Sequence, residues 1–217
     1  MFGSADAVLF DFDGPICSVF DGYPATQITA ELRQLAGTIH HGLQDALERA
    51  TSPHDLLLAA ASDPRLSAEL EHPLQTAELR AVETACPTPG AAESLAACQE
   101  QGKGVAAVSN NYAQAVTNYL ARTGLAGRVV HVEGRDASDP TLMKPSPHLI
   151  QRAADALRIR PAACVFIGDQ ASDIEAGRLA GVRTIGYANK PGKTDALAMA
   201  GADVVVQTMT EIAAAIS

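Results

Sequence analysis

The sequence contains no tryptophan, and aromatic residues make up only 4% of its 217 positions. A nucleotide pocket built on base stacking is therefore disfavoured. The chain also lacks any block of lysine or arginine, and its formal net charge at pH 7 is −9. No apolar run approaches the roughly 18 residues that a membrane-spanning helix needs. We therefore expect contact with neither nucleic acid nor a membrane.

Cysteine is also scarce. The first residues, Met1 to Asp6, contain neither the basic region nor the apolar region of a signal peptide. Together with the cysteine pattern, this predicts a soluble cytoplasmic protein with reduced thiols. The four cysteines, which fall at no metal-ligand spacing and suggest no disulfide framework, are Cys17, Cys86, Cys98 and Cys164.

What the sequence does contain indicates a folded α/β protein. Hydrophobic residues make up 47%, charged residues 19%, and the mean hydropathy is +0.05, which together argue against disorder. Residues 7–13 read as a strand buried on both faces, residues 24–85 are helical in pattern, and from Cys86 onward strands alternate with helices. This alternation predicts right-handed βαβ units and a parallel sheet covered on both faces.

The helical stretch interrupts the alternation just after the first strand. Within it, Ser52-Pro53 and Asp63-Pro64 each place a capping residue before proline, which signals a helix start. The sequence therefore predicts an α/β core of residues 1–16 and 87–217, with a small all-helical domain inserted at 17–86.

Polar side chains stand at the predicted carboxyl ends of the core strands, where an open parallel sheet binds its ligands. Carboxylates, one lysine and one hydroxyl thus converge on a single edge. This is the inventory for a hard divalent cation and a phosphoryl group. The residues concerned are Asp11, Asp13, Gly14, Ser109, Asn110, Asn111, Lys144, Asp169 and Asp173.

Each of these residues alone has an ordinary structural explanation. An Asp-Gly pair forms a common turn, Ser109 suits a helix N-cap, and Asp173 suits the first turn of a helix. A lone lysine such as Lys144 is usually solvated. The whole set, in this order and after successive strands, favours the chemical interpretation.

Four stretches of the chain resemble the signature motifs of the haloacid dehalogenase-like (HAD) hydrolases. The segments PTPGAAESLAACQEQG and GADVVVQTMTEI are similar to the phosphoglycolate-phosphatase-type branch of that family, and the insertion is similar to its C1 helical cap. The resemblance implies a Rossmann-like core with Mg²⁺ as cofactor. The four motifs are VLFDFDG around Asp11, VAAVSNN around Ser109, the stretch Lys144-Pro145-Ser146-Pro147, and VFIGDQASDIEAGRLAGV around Asp169.

The resemblance also implies roles for the aspartates. Asp11 is the nucleophile and forms an aspartyl-phosphate. Asp13 protonates the leaving alkoxide and then deprotonates the attacking water. The metal ligands are Asp11, Asp13 through its backbone carbonyl, and Asp169. Asp173 orients a metal-bound water or pairs with Lys144.

The remaining residues are expected to bind the phosphoryl group. Ser109 and the backbone N–H of Asn110 donate hydrogen bonds to its oxygens, and Lys144 neutralises the charge spread over them.

Asp13 favours phosphoryl transfer over dehalogenation. A halide leaving group needs no proton, and the halide-displacing members of the family lack an acid at this position. The predicted function is therefore Mg²⁺-dependent hydrolysis of a small phosphorylated metabolite, by a monomer or a homodimer. Two alternatives stay open: a sugar phosphomutase of the same family, and a non-catalytic phosphate-binding regulatory domain. A response-regulator-like phosphoacceptor is disfavoured, because it needs neither an acid nor a lid.

The chain departs from the family pattern in two places. Pro15 stands where Thr or Val is usual, which removes an N–H and a hydroxyl. The letters ICSV at 16–19 lack the Asp-Ser pair common in phosphoglycolate phosphatases, which weakens phosphoglycolate as the substrate. Specificity is expected from polar residues of the insertion, each of which could instead be solvated or structural. These candidates are Tyr23, Gln27, Arg33, His40, His41 and Arg80.

Overall fold

The computed structural model describes residues 2–39 and 43–217. Its main sheet has six parallel strands in the order β5-β4-β1-β6-β7-β8, which confirms the predicted α/β class. The strands are β1 (Ala7–Phe10), β4 (Gly104–Val108), β5 (His131–Glu133), β6 (Cys164–Gly168), β7 (Arg183–Tyr187) and β8 (Val204–Val206).

Strand β1 lies in the middle of the sheet and pairs with β4 and β6. All four of its residues are buried. Because side chains alternate along a strand, Val8 and Phe10 pack into one hydrophobic core, and Ala7 and Leu9 pack into the core on the opposite face. The continuous apolar run is therefore explained by burial on both sides.

Four of the described helices form an insertion that follows β1 and precedes the first helix of the core. The chain enters and leaves this region through an antiparallel ribbon of β2 (Cys17–Ser18) and β3 (Cys86–Pro87). Ser52 and Asp63 cap the third and fourth of these helices, and a proline follows each cap, as the sequence predicts. The helices are α1 (Ala25–Ile39), α2 (Gln44–Arg49), α3 (Pro53–Ala60) and α4 (Pro64–Thr84).

Helices of the core cover both faces of the sheet. Residues of α5, α6 and α10 join the core that contains Phe10, whereas α7 and α8 pack on the face that contains Leu9. Among the described residues, no helix is both long enough and apolar enough to cross a membrane. The core helices are α5 (Ala91–Glu100), α6 (Ala113–Arg122), α7 (His148–Leu157), α8 (Ala171–Ala180), α9 (Lys193–Met199) and α10 (Met209–Ile216).

Two strands differ from the sequence prediction. The first strand ends at Phe10 rather than at residue 13, because Ile16 N and Cys17 N both donate to the Phe12 carbonyl and turn the chain. The apolar run at 128–132 predicts a third core strand at these residues, but the observed strand begins only at His131. The residues before it form a short 3₁₀ turn, and edge strand β5 first pairs with β4 where His131 lies opposite Ala106.

Candidate functional site

A cavity of about 420 Å³ opens at the carboxyl edge of the sheet. One of its walls is built by the segments that follow β1, β4 and β6 and by the loop after β5. All seven site residues proposed from the sequence line this cavity. They are Asp11, Asp13, Ser109, Asn110, Lys144, Asp169 and Asp173.

Three buried carboxylates form the floor of the cavity. Asp11, Asp169 and Asp173 each offer an oxygen, and these three oxygens lie within 4.8 Å of one another. Burial raises the pKa of Asp11 well above its usual range, and the negative charges of Asp173 and Asp169 raise it further, against the opposing effect of Lys144. The arrangement thus concentrates negative charge where water is scarce.

Lys144 is the cation at the centre of this cluster. Its Nζ lies 2.7 Å from Asp11 Oδ1, 2.7 Å from Asp173 Oδ1 and 3.3 Å from the Val108 carbonyl oxygen. Burial alone would lower the pKa of Lys144, but Asp11 and Asp173 outweigh it and raise that pKa. Lys144 therefore carries its positive charge at neutral pH.

Asp173 is held by the protein at both carboxylate oxygens. Oδ1 pairs with Lys144, and Oδ2 accepts hydrogen bonds from Asp169 N at 3.0 Å and Gln170 N at 2.9 Å. This placement, at the start of α8, agrees with the expected pairing with Lys144.

Asp169 differs, because one of its oxygens lacks a protein partner. Oδ2 accepts a hydrogen bond from Asn189 Nδ2 at 3.0 Å and pairs with Lys193, whereas Oδ1 is buried and unpartnered. Burial raises the pKa of Asp169 against the opposing charge of Lys193. Buried carboxylate oxygens in proteins nearly always have a hydrogen-bond partner. The lack of one at Asp169 Oδ1 indicates that this oxygen is available to bind a ligand.

The side chain of Asp13 lies at the cavity wall but outside the three-carboxylate cluster. Its Oδ1 accepts a hydrogen bond from Val19 N at 2.9 Å, across the turn that follows β1. Burial raises the pKa of Asp13, a shift that the Val19 hydrogen bond partly offsets. A carboxyl group with a raised pKa suits proton donation near neutral pH.

The Ser109–Asn111 segment after β4 is tied together by side-chain hydrogen bonds. Ser109 Oγ donates to Asn111 Oδ1 at 3.0 Å and accepts from Asn111 N at 3.1 Å, so Ser109 does not cap α6, whose N-cap is Tyr112. Asn110 uses its side-chain amide to hold both the N–H and the carbonyl of Lys144, at 2.8 and 3.2 Å. Asn110 therefore fixes the lysine loop to the serine loop.

The turn at Pro15 is closed without an N–H at that position. Thr88 Oγ1 donates to the Gly14 carbonyl at 2.6 Å, and Gly14 N donates to the Cys17 carbonyl at 2.7 Å. These contacts stabilise the loop that carries Asp11 and Asp13.

The opposite wall of the cavity comes from the inserted helices, chiefly the start of α3. The residues that line the cavity do not include the specificity candidates Tyr23, Gln27, Arg33 and Arg80, and the structure agrees with the structural alternative for each of them. Tyr23 and Gln27 donate hydrogen bonds to Glu31, Arg33 donates to the Leu47 and Ala50 carbonyls, and Arg80 stacks on Tyr23. These four side chains hold the insertion together. His40 and His41 lie outside the described residues. The wall consists of Phe20, Ala25, Thr51, Ser52, Pro53, His54, Asp55 and Leu58.

Sequence reasoning missed three residues of the site. Asn189 and Lys193 follow β7, so the rule that ligands bind beyond strand ends points to them as well, and it was not extended to that strand. His54 lies on a short helix, and no local pattern distinguishes it from a solvated histidine.

Comparison with known proteins agrees with this geometry. A family model described as haloacid dehalogenase-like hydrolase matches residues 5–181. The chain belongs to the haloacid dehalogenase-like hydrolases. It is 30% identical over 215 residues to an N-acetylmuramic acid 6-phosphate phosphatase from Pseudomonas aeruginosa, covering 95% of this chain and 92% of the relative. It is also 35% identical over 131 residues to a plasmid-encoded phosphoglycolate phosphatase from Cupriavidus necator, covering 58% of this chain and 54% of that relative.

Solved structures share the fold over nearly the whole chain. A predicted phosphatase from Clostridium acetobutylicum superposes with a TM-score of 0.77 at 18% identity, covering 98% of each chain. A HAD family hydrolase from Deinococcus radiodurans, solved with bound phosphate and sodium, superposes with a TM-score of 0.63 at 27% identity, covering 98% of this chain and 95% of that one. The Rossmann-like core expected from the sequence is thereby confirmed.

HAD phosphatases generally use a divalent metal ion, and the residues of this chain fit one. Three carboxylate oxygens lie within reach of a single ion, and Asp169 Oδ1 is buried without a partner. Oxygen ligands of this kind are those that hard divalent cations prefer. A bound cation would also offset the repulsion that raises the pKa of Asp11.

Gly14 offers a test of the metal site. Its φ is +111°, and a Cβ at this position would stand 2.5 Å from Asp169 Cγ. If the carboxylate cluster holds a divalent cation, we expect Gly14→Ala to displace the Asp169 carboxylate and to weaken cation binding about 10- to 100-fold, as disturbed support of a metal ligand commonly does. Isothermal titration of the purified variant with Mg²⁺ measures this change.

Gly124→Ala is the matched control, because Gly124 also has positive φ, at +72°, but nothing lies within 4 Å of the added Cβ. This variant also places a side chain at positive φ but creates no contact with Asp169, so it should bind Mg²⁺ as the wild type does. Equal loss of affinity in both variants would contradict the proposed involvement of Asp169.

Proposed function

We propose that this protein is a Mg²⁺-dependent phosphatase that hydrolyses a small phosphomonoester through an aspartyl-phosphate on Asp11. The observation that carries the proposal is the ion pair of Asp11 with Lys144 in the same cavity as Asp13. A nucleophile, a cation for the phosphoryl oxygens and a proton donor thus share one site.

Asp11 is oriented for attack by two contacts at the same oxygen. Phe12 N and Lys144 Nζ both lie 2.7 Å from Oδ1. They fix the carboxylate at the end of β1, and the attack on phosphorus forms the aspartyl-phosphate as the P–O bond to the leaving group breaks.

Asp13 donates a proton to the leaving alkoxide and then takes one from the water that hydrolyses the aspartyl-phosphate. Its raised pKa favours the protonated form that the first step needs. A proton donor here favours phosphate esters over organohalides, since a halide leaves without a proton.

Lys144, Ser109 and the backbone N–H of Asn110 bind the phosphoryl oxygens in this proposal. Asp11, the backbone carbonyl of Asp13 and Asp169 would hold Mg²⁺, with Asp173 keeping Lys144 in place. When bound, Mg²⁺ reduces the repulsion between the Asp11 carboxylate and the phosphate dianion.

The relatives support this choice of reaction. The relative that matches nearly the whole chain is a phosphatase of a phosphorylated sugar, and the Deinococcus radiodurans hydrolase has phosphate bound. Hydrolysis of a small phosphorylated metabolite is consistent with a cavity of about 420 Å³.

We also propose that residues 17–86 form a cap over the chemical site, attached to a core of residues 1–16 and 87–217. The start of α3 forms the wall opposite Asp13, so this segment would contact the leaving group and exclude water. The short ribbon of β2 and β3 marks its two ends.

The test is phosphate release from a panel of phosphomonoesters that includes sugar phosphates, phosphoglycolate and p-nitrophenyl phosphate. We expect release with Mg²⁺ and loss of nearly all of it when EDTA removes the metal. Isotope-labelled phosphate identifies the product: free phosphate supports hydrolysis, and phosphate returned to a sugar supports a phosphomutase. No turnover of any substrate, by a folded protein that binds Mg²⁺, would contradict the phosphatase.

A further inference from the structure

A buried ion-pair network lies behind the cavity and joins the inserted helices to the core. Glu71 and Glu78 lie seven residues apart on α4, which places them on one face of that helix. The Arg135 side chain extends from the loop after β5 to both carboxylates and is 0% exposed, as is Glu78. Two glutamates of the insertion therefore share one arginine of the core.

All three guanidinium nitrogens of Arg135 contact a glutamate oxygen. Nε lies 3.1 and 3.0 Å from the two oxygens of Glu71, and Nη1 lies 2.7 Å from each oxygen of Glu78. Nη1 also donates a hydrogen bond to the Asn110 carbonyl at 3.0 Å. Burial alone would raise the pKa of Glu78, but Arg135 and His54 lower it, so this carboxylate stays ionised.

Glu78 connects the arginine to both walls of the cavity. On the helical wall, its Oε1 lies 3.0 Å from His54 Nε2. On the core wall, it accepts hydrogen bonds from Asn111 Nδ2 at 3.1 Å and from Tyr112 N at 3.0 Å. Asn111 in turn holds the Ser109 hydroxyl. One carboxylate thus orients a side chain of the inserted helices and two groups of the core segment that follows β4.

We propose that Arg135 is a positioning residue that acts through Glu78 on His54, and through Glu78 and Asn110 on the segment that follows β4. The proposal rests on the proposed function only in taking the cavity as the phosphomonoester site. His54, which lines the cavity from the side of the inserted helices, thereby becomes a fixed contact for the leaving group.

The physical reason is the way in which an ionised Glu78 restrains the imidazole. A carboxylate can only accept, so the proton of the His54–Glu78 hydrogen bond lies on Nε2 and the ring orientation is fixed. Without Arg135, two carboxylates would be buried with insufficient countercharge, and Glu78 would become protonated or move toward water. Either change releases His54, Asn111 and the Tyr112 amide.

The test uses Arg135→Lys, which keeps the charge but cannot reach both glutamates in a fork. We expect kcat/KM for p-nitrophenyl phosphate to fall about 10- to 100-fold, with a higher KM and a lower kcat, because both walls lose their alignment. Glu71→Gln is the control: it weakens one contact of Arg135 but leaves Glu78 paired. It should lower Tm while kcat/KM stays within about twofold of the wild type.

A double-mutant cycle separates positioning from general stability. In a His54→Ala background, Arg135→Lys should raise KM no further, because the contact of His54 with the leaving group is already lost. It should still lower kcat, because the segment that carries Ser109 loses its alignment. Glu78→Gln, which keeps the shape of the side chain, should reproduce the same non-additivity if Arg135→Lys does not fold. Full additivity of the KM effects, or an equal loss in Glu71→Gln, would overturn the proposal.

A measurement that needs no turnover keeps this proposal distinct from the proposed function. The Tyr112 amide, hydrogen-bonded to Glu78, should shift strongly in the ¹H–¹⁵N spectrum of Arg135→Lys and only slightly in that of Glu71→Gln. An unshifted Tyr112 signal in folded Arg135→Lys would overturn the positioning role even if the wild type is an active phosphatase.

Discussion

Replacing Asp11 with asparagine is expected to abolish phosphate release, lowering kcat by about 10⁴-fold or more, because the amide is no nucleophile. The amide keeps the shape of the carboxylate, so its oxygen can still accept the hydrogen bonds from Phe12 N and Lys144. The measurement is kcat on the best substrate of the panel, with Tm recorded for each variant.

The Tm distinguishes lost chemistry from lost structure. Asp11 is one of three buried carboxylates that repel one another, so Asp11→Asn should leave Tm unchanged or raise it. Asp155→Asn is the matched control, because Asp155 is exposed on α7 and does not line the cavity. It should retain wild-type kcat. Substantial turnover by folded Asp11→Asn would remove Asp11 from its role as nucleophile.

Asp13→Asn is expected to lower kcat for alkyl phosphomonoesters by about 10² to 10⁴-fold, because the alkoxide then leaves without a proton. Asparagine Oδ1 can still accept the hydrogen bond from Val19 N, which keeps the turn intact. With p-nitrophenyl phosphate, whose leaving group is a stable anion, the first step should be nearly normal. The second step should be slow, since no base activates the water.

Rapid-quench kinetics test this directly. Asp13→Asn should show a burst of nitrophenol close to one per active site, followed by slow release, with phosphate retained on the protein. If the burst amplitude and the steady-state rate of nitrophenol release fall by the same factor in this variant, Asp13 is not the acid and base of the reaction.

The residues proposed to attack the phosphate and to transfer protons were predictable, because local rules place them at the ends of strands. Asp11 and Asp13 follow a run that is buried on both faces, and Asp169 follows another, so the geometry of a parallel sheet brings them to one edge. The same rule, applied to β7, would have identified Asn189 as well. Within the sheet, the predicted strand limits differ from the observed ones where edge pairing and a tight turn determine the strand ends.

The buried ion-pair network of Arg135, Glu71 and Glu78 could not be predicted in this way. Arg135 contacts Glu78, 57 positions earlier in the chain, and Glu71, 64 positions earlier. Two glutamates seven residues apart lie on the same face of a helix, and the same spacing is common on helix faces that are exposed to solvent. Only the docking of α4 against the core decides that they are buried, and a single sequence carries no local signal for that contact.

The ribbon formed by Cys17–Ser18 and Cys86–Pro87 also has an evolutionary consequence. Because the two ends of the helical segment are hydrogen-bonded neighbours, this segment can be lengthened, shortened or exchanged without changing the path of the sheet. If the helical segment is the proposed cap, a chimera that joins the helices of a relative at these two points should take its substrate range from the donor and keep the aspartates of the recipient. The donor helices would have to carry glutamates equivalent to Glu71 and Glu78 to pair with the buried Arg135. Selection can thus act on recognition and on chemistry as two separate modules of one polypeptide.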